Sequence, residues 1–429
     1  MIRFIYNLFW PLGLLIFLPG YFAKMIRRGG YREKFGQRLG IYDGEVRNRL
    51  SNRRPTWLHA VSVGEVNIAL KLASALRALE PDLHCVLTTT TTTGFALARK
   101  TAPRWIEVMY TPLDYWPIMR HAFSVICPAR IVLIEAEVWP NLAVAAHARR
   151  IPLALVNARL SPRSERRYRR FRFFVAPTFR LLDLVCVPER GDVERWTALG
   201  VSRNRIHVTG SIKFDPDVQA QSHSIAGSIS DAFSPDSLVL FGGSTHRGEE
   251  EILARVFLRL REQFPSLRLF IAPRHVERLQ EIRAHLRALP LRVTLASEAL
   301  TCGAADADCM LLDTTGELQR WYGIATVVFI GKSLTAHGGQ NPVEPILAGK
   351  PVVFGPHMEN FATLAKTLVS NNAAMQVNDT DSLERTVGEL LRDTESRQRL
   401  VENAHAALNE HKGGTARTAK LVHEFGPRH

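Results

Sequence analysis

The strongest constraint on this chain is a unit that recurs along it. A short run of β-branched and other apolar residues stops at polar residues or glycine, and an amphipathic stretch follows. In the first half the runs are Trp57–Val61, Leu83–Leu87, Ile131–Ile134, Leu153–Val156, Leu184–Val187 and Ile206–Val208. In the second half they are Leu238–Phe241, Leu267–Ile271, Met310–Leu312, Thr326–Ile330, Pro351–Phe354 and Ala374–Val377. Apolar runs of strand length, alternating with helical patterns, imply βαβ units and parallel sheets. One helix is predicted over Val66–Leu79, with Val66, Ala69, Leu70, Ala73 and Leu76 on one face. Between the two sets lies Phe214–Ser237, rich in Ser, Asp, Gln and Pro, which reads as a linker. Asp381–Phe425 is helical by pattern. The expected fold class is α/β, with two Rossmann-like domains facing a cleft and ligands beyond the carboxyl ends of the strands. The expected boundaries are 1–40 for an N-terminal segment and its basic flank, 41–215 for the first domain, 216–236 for the linker and 237–429 for the second domain.

The N-terminal segment is of a different kind. Phe4 to Ala23 is twenty residues without a charge, long enough for one bilayer crossing, although Pro11, Gly13, Pro19 and Gly20 weaken it as a straight helix. Lys24, Arg27, Arg28, Arg32, Lys34 and Arg38 follow. By the positive-inside rule the bulk of the chain then stays in the cytoplasm. A cleaved signal peptide fits poorly, because the charge lies on the wrong side of the apolar run. The segment reads as an uncleaved anchor helix, spanning or monotopic, with a hydrophobic helix docked on the protein itself as the alternative. Formal net charge is +14, and residues 1–54 and 159–172 carry the whole surplus. In the second stretch arginines alternate with Tyr168 and Phe171, and Phe173 and Phe174 follow. Aromatics sinking into an interface while arginines reach lipid phosphates would give that pattern, and so would a solvated helix face. Charge segregated in this way argues against a nucleic-acid binder. Five scattered cysteines without a Cys-x-x-Cys pair exclude a disulfide framework and a zinc finger.

The polar residues after each run are the candidates for chemistry. The first run leads into Ser62-Val63-Gly64-Glu65, which places Glu65 at the first turn of a helix. A carboxylate there can take a proton from a sugar hydroxyl, and the helix dipole predicts that it is ionised at neutral pH. It can equally be a residue that only complements the dipole. Ile131–Ile134 leads into Glu135-Ala-Glu137-Val-Trp139-Pro140-Asn141, where a second carboxylate could orient a partner or cap a helix. Thr88–Thr93 are six consecutive threonines, read either as a hydroxyl-rich binding loop or as a strand end. In the second half, Pro273-Arg274-His275 puts an arginine at a strand terminus, suited to a phosphate. Asp313–Leu318 and Gly331-Lys-Ser-Leu334 end two further runs, and His337-Gly-Gly-Gln-Asn341-Pro-Val-Glu344 comes next. Their backbone N–H groups could face an anion, and Glu344 could clamp ribose hydroxyls. Histidines 59, 246, 275, 337 and 357 show no metal-ligand spacing, and no Gly-x-Ser-x-Gly elbow occurs.

Taken together, Trp57–Glu65, Glu135–Asn141, Asn157–Ser161, Gly210–Asp215, Ala272–His275, Asp313–Leu318, Gly339–Glu344 and Gly355–Phe361 resemble the 3-deoxy-D-manno-octulosonic acid (Kdo) transferases of lipopolysaccharide biosynthesis. The resemblance runs in order along nearly the whole chain. It implies a GT-B fold with an acceptor domain followed by a CMP-sugar domain. It also implies a CMP-Kdo donor, a tetraacylated lipid A precursor (lipid IVA) as acceptor, and an inverting transfer with no active-site metal and no cofactor. The place implied is the cytoplasmic face of a bacterial inner membrane, against its anionic leaflet. By the same resemblance Glu65 is the general base, and Glu135 and Lys213 stabilise the transition state. Pro273, Arg274, Thr315, Gly316, Glu317, Asn341, Pro342, Val343 and Glu344 bind CMP. Two positions depart from the family pattern: Ser211 stands where asparagine is expected, and Lys332 where glycine is expected. The rival expectations are a GT-B transferase using another nucleotide sugar on a lipid acceptor, and a silent sugar-nucleotide-binding module.

Overall fold

The computed structural model describes residues 6–8, 34–160, 162–215, 237–302, 307–313 and 318–425. The apolar N-terminal segment therefore lies outside the described residues except for Tyr6–Leu8, and so does the linker 216–236. Among the described residues no helix is long and apolar enough to cross a membrane.

The chain divides into two compact units, residues 1–215 with 411–429, and residues 216–410. In the first unit, β1 (Thr56–Ala60), β2 (Cys85–Thr89), β3 (Ile106–Tyr110), β4 (Arg130–Ile134), β5 (Leu153–Val156), β6 (Leu184–Val187) and β7 (Ile206–Val208) form one sheet in the order β3-β2-β1-β4-β5-β6-β7. In the second, β8 (Leu238–Thr245), β9 (Leu267–Pro273), β10 (Val293–Leu295), β11 (Cys309–Leu311), β12 (Val327–Ile330), β13 (Val352–Phe354) and β14 (Met375–Gln376) follow the order β10-β11-β9-β8-β12-β13-β14. Every pairing is parallel. These are two Rossmann-like units. Side chains alternate across each sheet: Trp57, Ile131, Leu133 and Leu155 enter one core of the first unit, and Leu58, Val132, Ile134 and Val156 the other.

Two strands escaped the sequence pattern, β3 and β10. Both are edge strands. An edge strand is covered less completely, so β3 tolerates Glu107 and β10 tolerates Thr294, and neither presents an uninterrupted apolar run.

The expected extent of the second domain, 237–429, is corrected at its end. Helix Gly414–Glu424 packs on helix Val63–Leu79 of the first unit. Asp215 holds the return, its two carboxylate oxygens accepting the N–H of Gly413 at 2.7 Å and of Thr415 at 2.8 Å. Gly414 passes so close to Gly210 that a Cβ there would stand 3.1 Å from its backbone carbon. Buried Arg130 donates to both oxygens of Glu80, at 2.8 and 2.7 Å, and to the Val422 carbonyl at 3.2 Å. A helical pattern shows that this segment is amphipathic but not which core its apolar face meets. Asp215→Ala leaves two donors at the start of that helix unpaired. It should lower the first unit's unfolding free energy by about 1–2 kcal/mol, measured by urea denaturation.

Candidate functional site

In the first unit the strand order reverses between β1 and β4; in the second the central reversal lies between β8 and β12, with β10 and β11 exchanged at the far edge. Connections on the two sides of such a point leave in opposite directions and open a crevice beyond the strand ends, the preferred ligand site of open α/β sheets. The candidate residues gather at these two places.

In the first unit, β1 runs into Ser62, the N-cap of helix Val63–Leu79. Glu65 sits three residues on. Its carboxylate accepts the Val61 N–H at 2.8 Å and the Ser62 hydroxyl at 2.9 Å, while the Ser62 oxygen caps the Glu65 N–H at 3.4 Å. Glu65 is buried. Burial, opposed by the Val61 N–H and assisted by the charges of Glu135 and Glu137, pushes its pKa up to about 7. The expectation that the helix dipole keeps Glu65 fully ionised at neutral pH is therefore corrected: desolvation outweighs the dipole, and the group is poised to take or release a proton.

Glu135 follows β4 directly. Its φ of 61° is left-handed, uncommon for a residue with a side chain. Neither Glu135 nor Glu137 caps the next helix, Pro140–Ala148, whose N-cap is Trp139. That helix is capped from elsewhere in the chain, by buried Asp114, which accepts the N–H of Asn141 at 3.0 Å and of Leu142 at 2.8 Å. The two glutamates are thus released from the helix start. Burial raises the pKa of Glu135, against Lys213 and Arg159, and burial raises that of Glu137, reinforced by Glu135. Burial lowers the pKa of Lys213, with Glu135 pulling it back up. Glu65, Glu135, Glu137, Lys213 and Arg159 form one electrostatic cluster.

Lys213 lies in a turn, Ile212–Phe214. Asn157, buried and itself left-handed at φ 51°, clamps that turn. Its side-chain oxygen accepts the Ile212 N–H at 3.1 Å and the Ser211 hydroxyl at 3.2 Å. Ser211, the first departure from the family pattern, is absorbed in this way: its hydroxyl supplies a donor to Asn157. The threonine run is largely structural. Thr88 and Thr89 end β2, the Thr88 hydroxyl accepts Trp57 Nε1 at 2.9 Å, and Thr91 caps helix Thr92–Thr101.

In the second unit, Pro273 ends β9 and Arg274 follows, its side chain exposed. Glu344 is drawn toward the same place. Its pKa is raised by burial and held back by Asn341, whose Nδ2 donates to its Oε1 at 3.0 Å, and by Arg274. Asn341 Oδ1 also accepts the Val343 N–H at 3.1 Å. Burial first, then the nearby cations Lys332, Arg274 and Arg278, hold His246 at a pKa of about 4. Arg274, Arg278 and Lys332 are thus one positive field beside Asn341 and Glu344, and His246 stands in it as a neutral imidazole. Pro342 and Val343 are buried at the start of the short helix Val343–Leu347. Thr315, Gly316 and Glu317 lie outside the described residues.

Among the amides expected to face an anion, those of Lys332, Ser333, Leu334 and Gly338 are already taken. Glu249, fully buried at the start of helix Glu249–Arg261, accepts the N–H of Lys332 at 2.7 Å, Ser333 at 3.0 Å, Leu334 at 3.0 Å and His246 at 2.8 Å. Glu359 takes the Gly338 N–H at 2.6 Å. At these amides an internal carboxylate therefore fills the role foreseen for a phosphate. Lys332, the second departure, has a φ of 59°, the conformation for which glycine is suited. The acidic triplet Glu249–Glu251 signals a helix start, but nothing local distinguishes the member that turns inward.

Helix Pro162–Arg170 and helix Arg172–Phe179 display the basic stretch. Arg163, Arg166, Arg167, Arg169, Arg170 and Arg172 are exposed, and so are Phe171, Phe173 and Phe174 at 48%, 67% and 50%.

A two-unit Rossmann-like fold, with an acid–base cluster at one switch point and a positive field at the other, defines a glycosyltransferase-type architecture. The family model for 3-deoxy-D-manno-octulosonic-acid transferase matches residues 33–216, and that for glycosyl transferases group 1 matches residues 250–407. The 3-deoxy-D-manno-octulosonic acid transferase of Haemophilus influenzae is 32% identical over 397 residues, 92% of each chain. That of Bordetella pertussis is 33% identical over 383 residues, 86% of this chain and 87% of its own. Among solved structures, UDP-GlcNAc 2-epimerase from Neisseria meningitidis superposes with a TM-score of 0.59 at 12% identity, covering 86% of this chain and 99% of that one, a likeness of fold alone. The chain belongs to the 3-deoxy-D-manno-octulosonic acid transferase family of glycosyltransferases.

Two outcomes follow for the buried carboxylates. Glu249→Ala strands four backbone donors and should cost at least about 3 kcal/mol. Hydrogen exchange at the amides of residues 332–334 should accelerate accordingly. Glu65 has a pKa near 7 when folded and 4.5 as a free side chain. The folded state therefore holds the proton more tightly, and its penalty is absent below pH 4.5, grows between 4.5 and 7, and is complete above 7. Glu65→Gln removes that penalty. The variant should match the parent's stability near pH 4 and exceed it at pH 8 by on the order of 3 kcal/mol, read from urea midpoints.

Proposed function

We propose that the chain transfers Kdo from CMP-Kdo to a lipid A precursor, lipid IVA, by a single inverting displacement, in a GT-B arrangement at the cytoplasmic face of a bacterial inner membrane. One observation carries the reading: Glu65 is a buried carboxylate with a pKa of about 7 at the first unit's switch point, beside Glu135 and Lys213, in a chain of this family. A general base works best when its pKa lies near the working pH.

In this reading Glu65 takes the proton from the acceptor hydroxyl as that oxygen attacks the anomeric carbon of Kdo. The bond from that carbon to the CMP phosphate oxygen breaks, and the pair of electrons leaves with CMP. Lys213 faces the carboxylate of Kdo and the charge developing at its ring, and Glu135 keeps Lys213 cationic in a site where burial works against it. Arg274 and Lys332 meet the phosphate as it gains charge, and Asn341 and Glu344 hold the nucleoside. Pro273, Pro342 and Val343 shape the floor beneath it, with Thr315, Gly316 and Glu317 as further CMP contacts. The exposed arginines and phenylalanines of residues 163–174 meet the acceptor phosphates and the anionic leaflet, next to an anchor at residues 1–40.

The test is mass spectrometry of a lipid A precursor incubated with the purified protein and CMP-Kdo. A gain of one or more Kdo masses is expected; no gain with an intact acceptor and active donor supply overturns the reading. Glu65→Gln should lower kcat by about 10²–10⁴-fold. In the parent, log kcat/KM should fall with unit slope below a pH of about 7, because the base must be deprotonated. Arg274→Ala should raise the donor KM, and CMP should compete with the donor where UDP does not. Replacing Arg166, Arg167, Arg169 and Arg170 by serine should raise the acceptor KM and weaken sedimentation with anionic vesicles; unchanged values of both would sink the membrane-facing assignment.

A further inference from the structure

His337, His357 and Glu359 belong to two loops of the second unit and have no part in the chemistry above. They are twenty and two residues apart in the chain, so no ligand spacing shows in the sequence, yet folding brings them together. The Nδ1 atoms of His337 and His357 lie 3.0 and 3.5 Å from the same oxygen, Oε1 of Glu359. The candidate ligand atoms of all three residues fall within 4.8 Å of one another. Ligands about 2.0–2.1 Å from zinc at the corners of a tetrahedron stand roughly 3.3–3.4 Å apart. Two edges of this triangle are already near that length.

The surroundings hold the three groups in place. The other oxygen of Glu359 accepts the Gly338 N–H at 2.6 Å, which directs Oε1 toward the histidines, the role that outer-shell bonds play around a metal ligand. The His357 N–H donates to the Ser333 carbonyl at 3.0 Å, and the Asn360 N–H to the Gly338 carbonyl at 2.9 Å. The two imidazole rings pack with centroids 4.0 Å apart. The side chains of His337 and Glu359 are 78% and 54% exposed, so a fourth position is open to water. Two imidazoles and a carboxylate suit zinc and cobalt rather than magnesium or calcium.

We infer that His337, His357 and Glu359 bind one divalent transition cation of the zinc type. The ion staples the loop that follows β12 to the loop that follows β13. Each ring binds as the neutral imidazole with its proton on Nε2, so that the Nδ1 lone pair goes to the ion. The staple fixes Gly338 and Gly339, both at positive φ, and with them the approach to Gln340 and Asn341. Its place is outside the reacting groups, and it stands whether or not the proposed transfer is correct.

The experiment uses the full chain, stripped with a chelator and titrated with Zn²⁺ against a chromophoric competitor. One ion per chain is expected, and Co²⁺ should give visible absorption of tetrahedral intensity. His357→Ala and Glu359→Gln should each weaken Zn²⁺ binding at least about 10-fold and abolish the cobalt spectrum. His337→Ala, at an exposed side chain, serves as the variant least able to disturb folding, and circular dichroism in chelator confirms that each variant folds. A thermal midpoint that rises with Zn²⁺ in the parent and not in the variants supports the same assignment. Parent-like affinity in His337→Ala and Glu359→Gln, or no stoichiometric binding by the parent, overturns it.

Discussion

All-parallel pairing sends every strand's carboxyl end to the same edge of its sheet, and the rest of the molecule depends on that constraint. Buried strands must be apolar along their length, so polar chemistry can begin only where they end. Reversal of strand order then selects one crevice among those ends. Glu65 and Glu135 follow the two strands that flank the reversal in the first unit, β1 and β4. His246 and Lys332 follow the pair that flanks it in the second, β8 and β12. Residues seventy or more positions apart become neighbours because hydrogen-bonded strands place them so.

Within the first crevice the electrostatics conflict with stability. Three carboxylates and a lysine share a site that burial makes hostile to every charged form. Two structural devices sustain the arrangement. Asp114 caps helix Pro140–Ala148 in place of Glu135 and Glu137, which frees both for the crevice. Asn157 and Asp215 then fix the Lys213 turn from its two sides, Asp215 by binding the returning C-terminal segment. A carboxylate with a pKa near 7 is the product of that conflict, and it suits the general base proposed above.

The second crevice uses charge differently. Glu249 consumes four backbone donors to give the loops after β8 and β12 one shape. In the proposed reading, ligand recognition falls to side chains that stand on that frame, Arg274, Lys332, Asn341 and Glu344. Lys332 keeps a left-handed backbone and supplies a cation at a place where glycine would supply only the turn.

Much of this was legible in the residues themselves. Twelve of the strands announce themselves as apolar runs, because most of them are buried along their length. The edge strands β3 and β10 do not, since Glu107 and Thr294 interrupt them, whereas the other two edge strands, β7 and β14, lie in apolar-rich runs. The ordered motifs point to the family, and the polar residues after each run mark where chemistry could sit. Other features could be decided only by the tertiary structure. The ionisation of Glu65 turns on desolvation by distant residues, which reverses the expectation drawn from its own helix. The donors of the glycine-rich loops are claimed by Glu249 and Glu359, from outside those loops. The last helix joins the first unit, although a helical pattern names no partner. The sequence by itself determined which segments are strands and helices and which side chains end them, because those follow from local periodicity. The fold decided which of those side chains share a dielectric environment and a hydrogen bond, because both depend on distances that only packing sets.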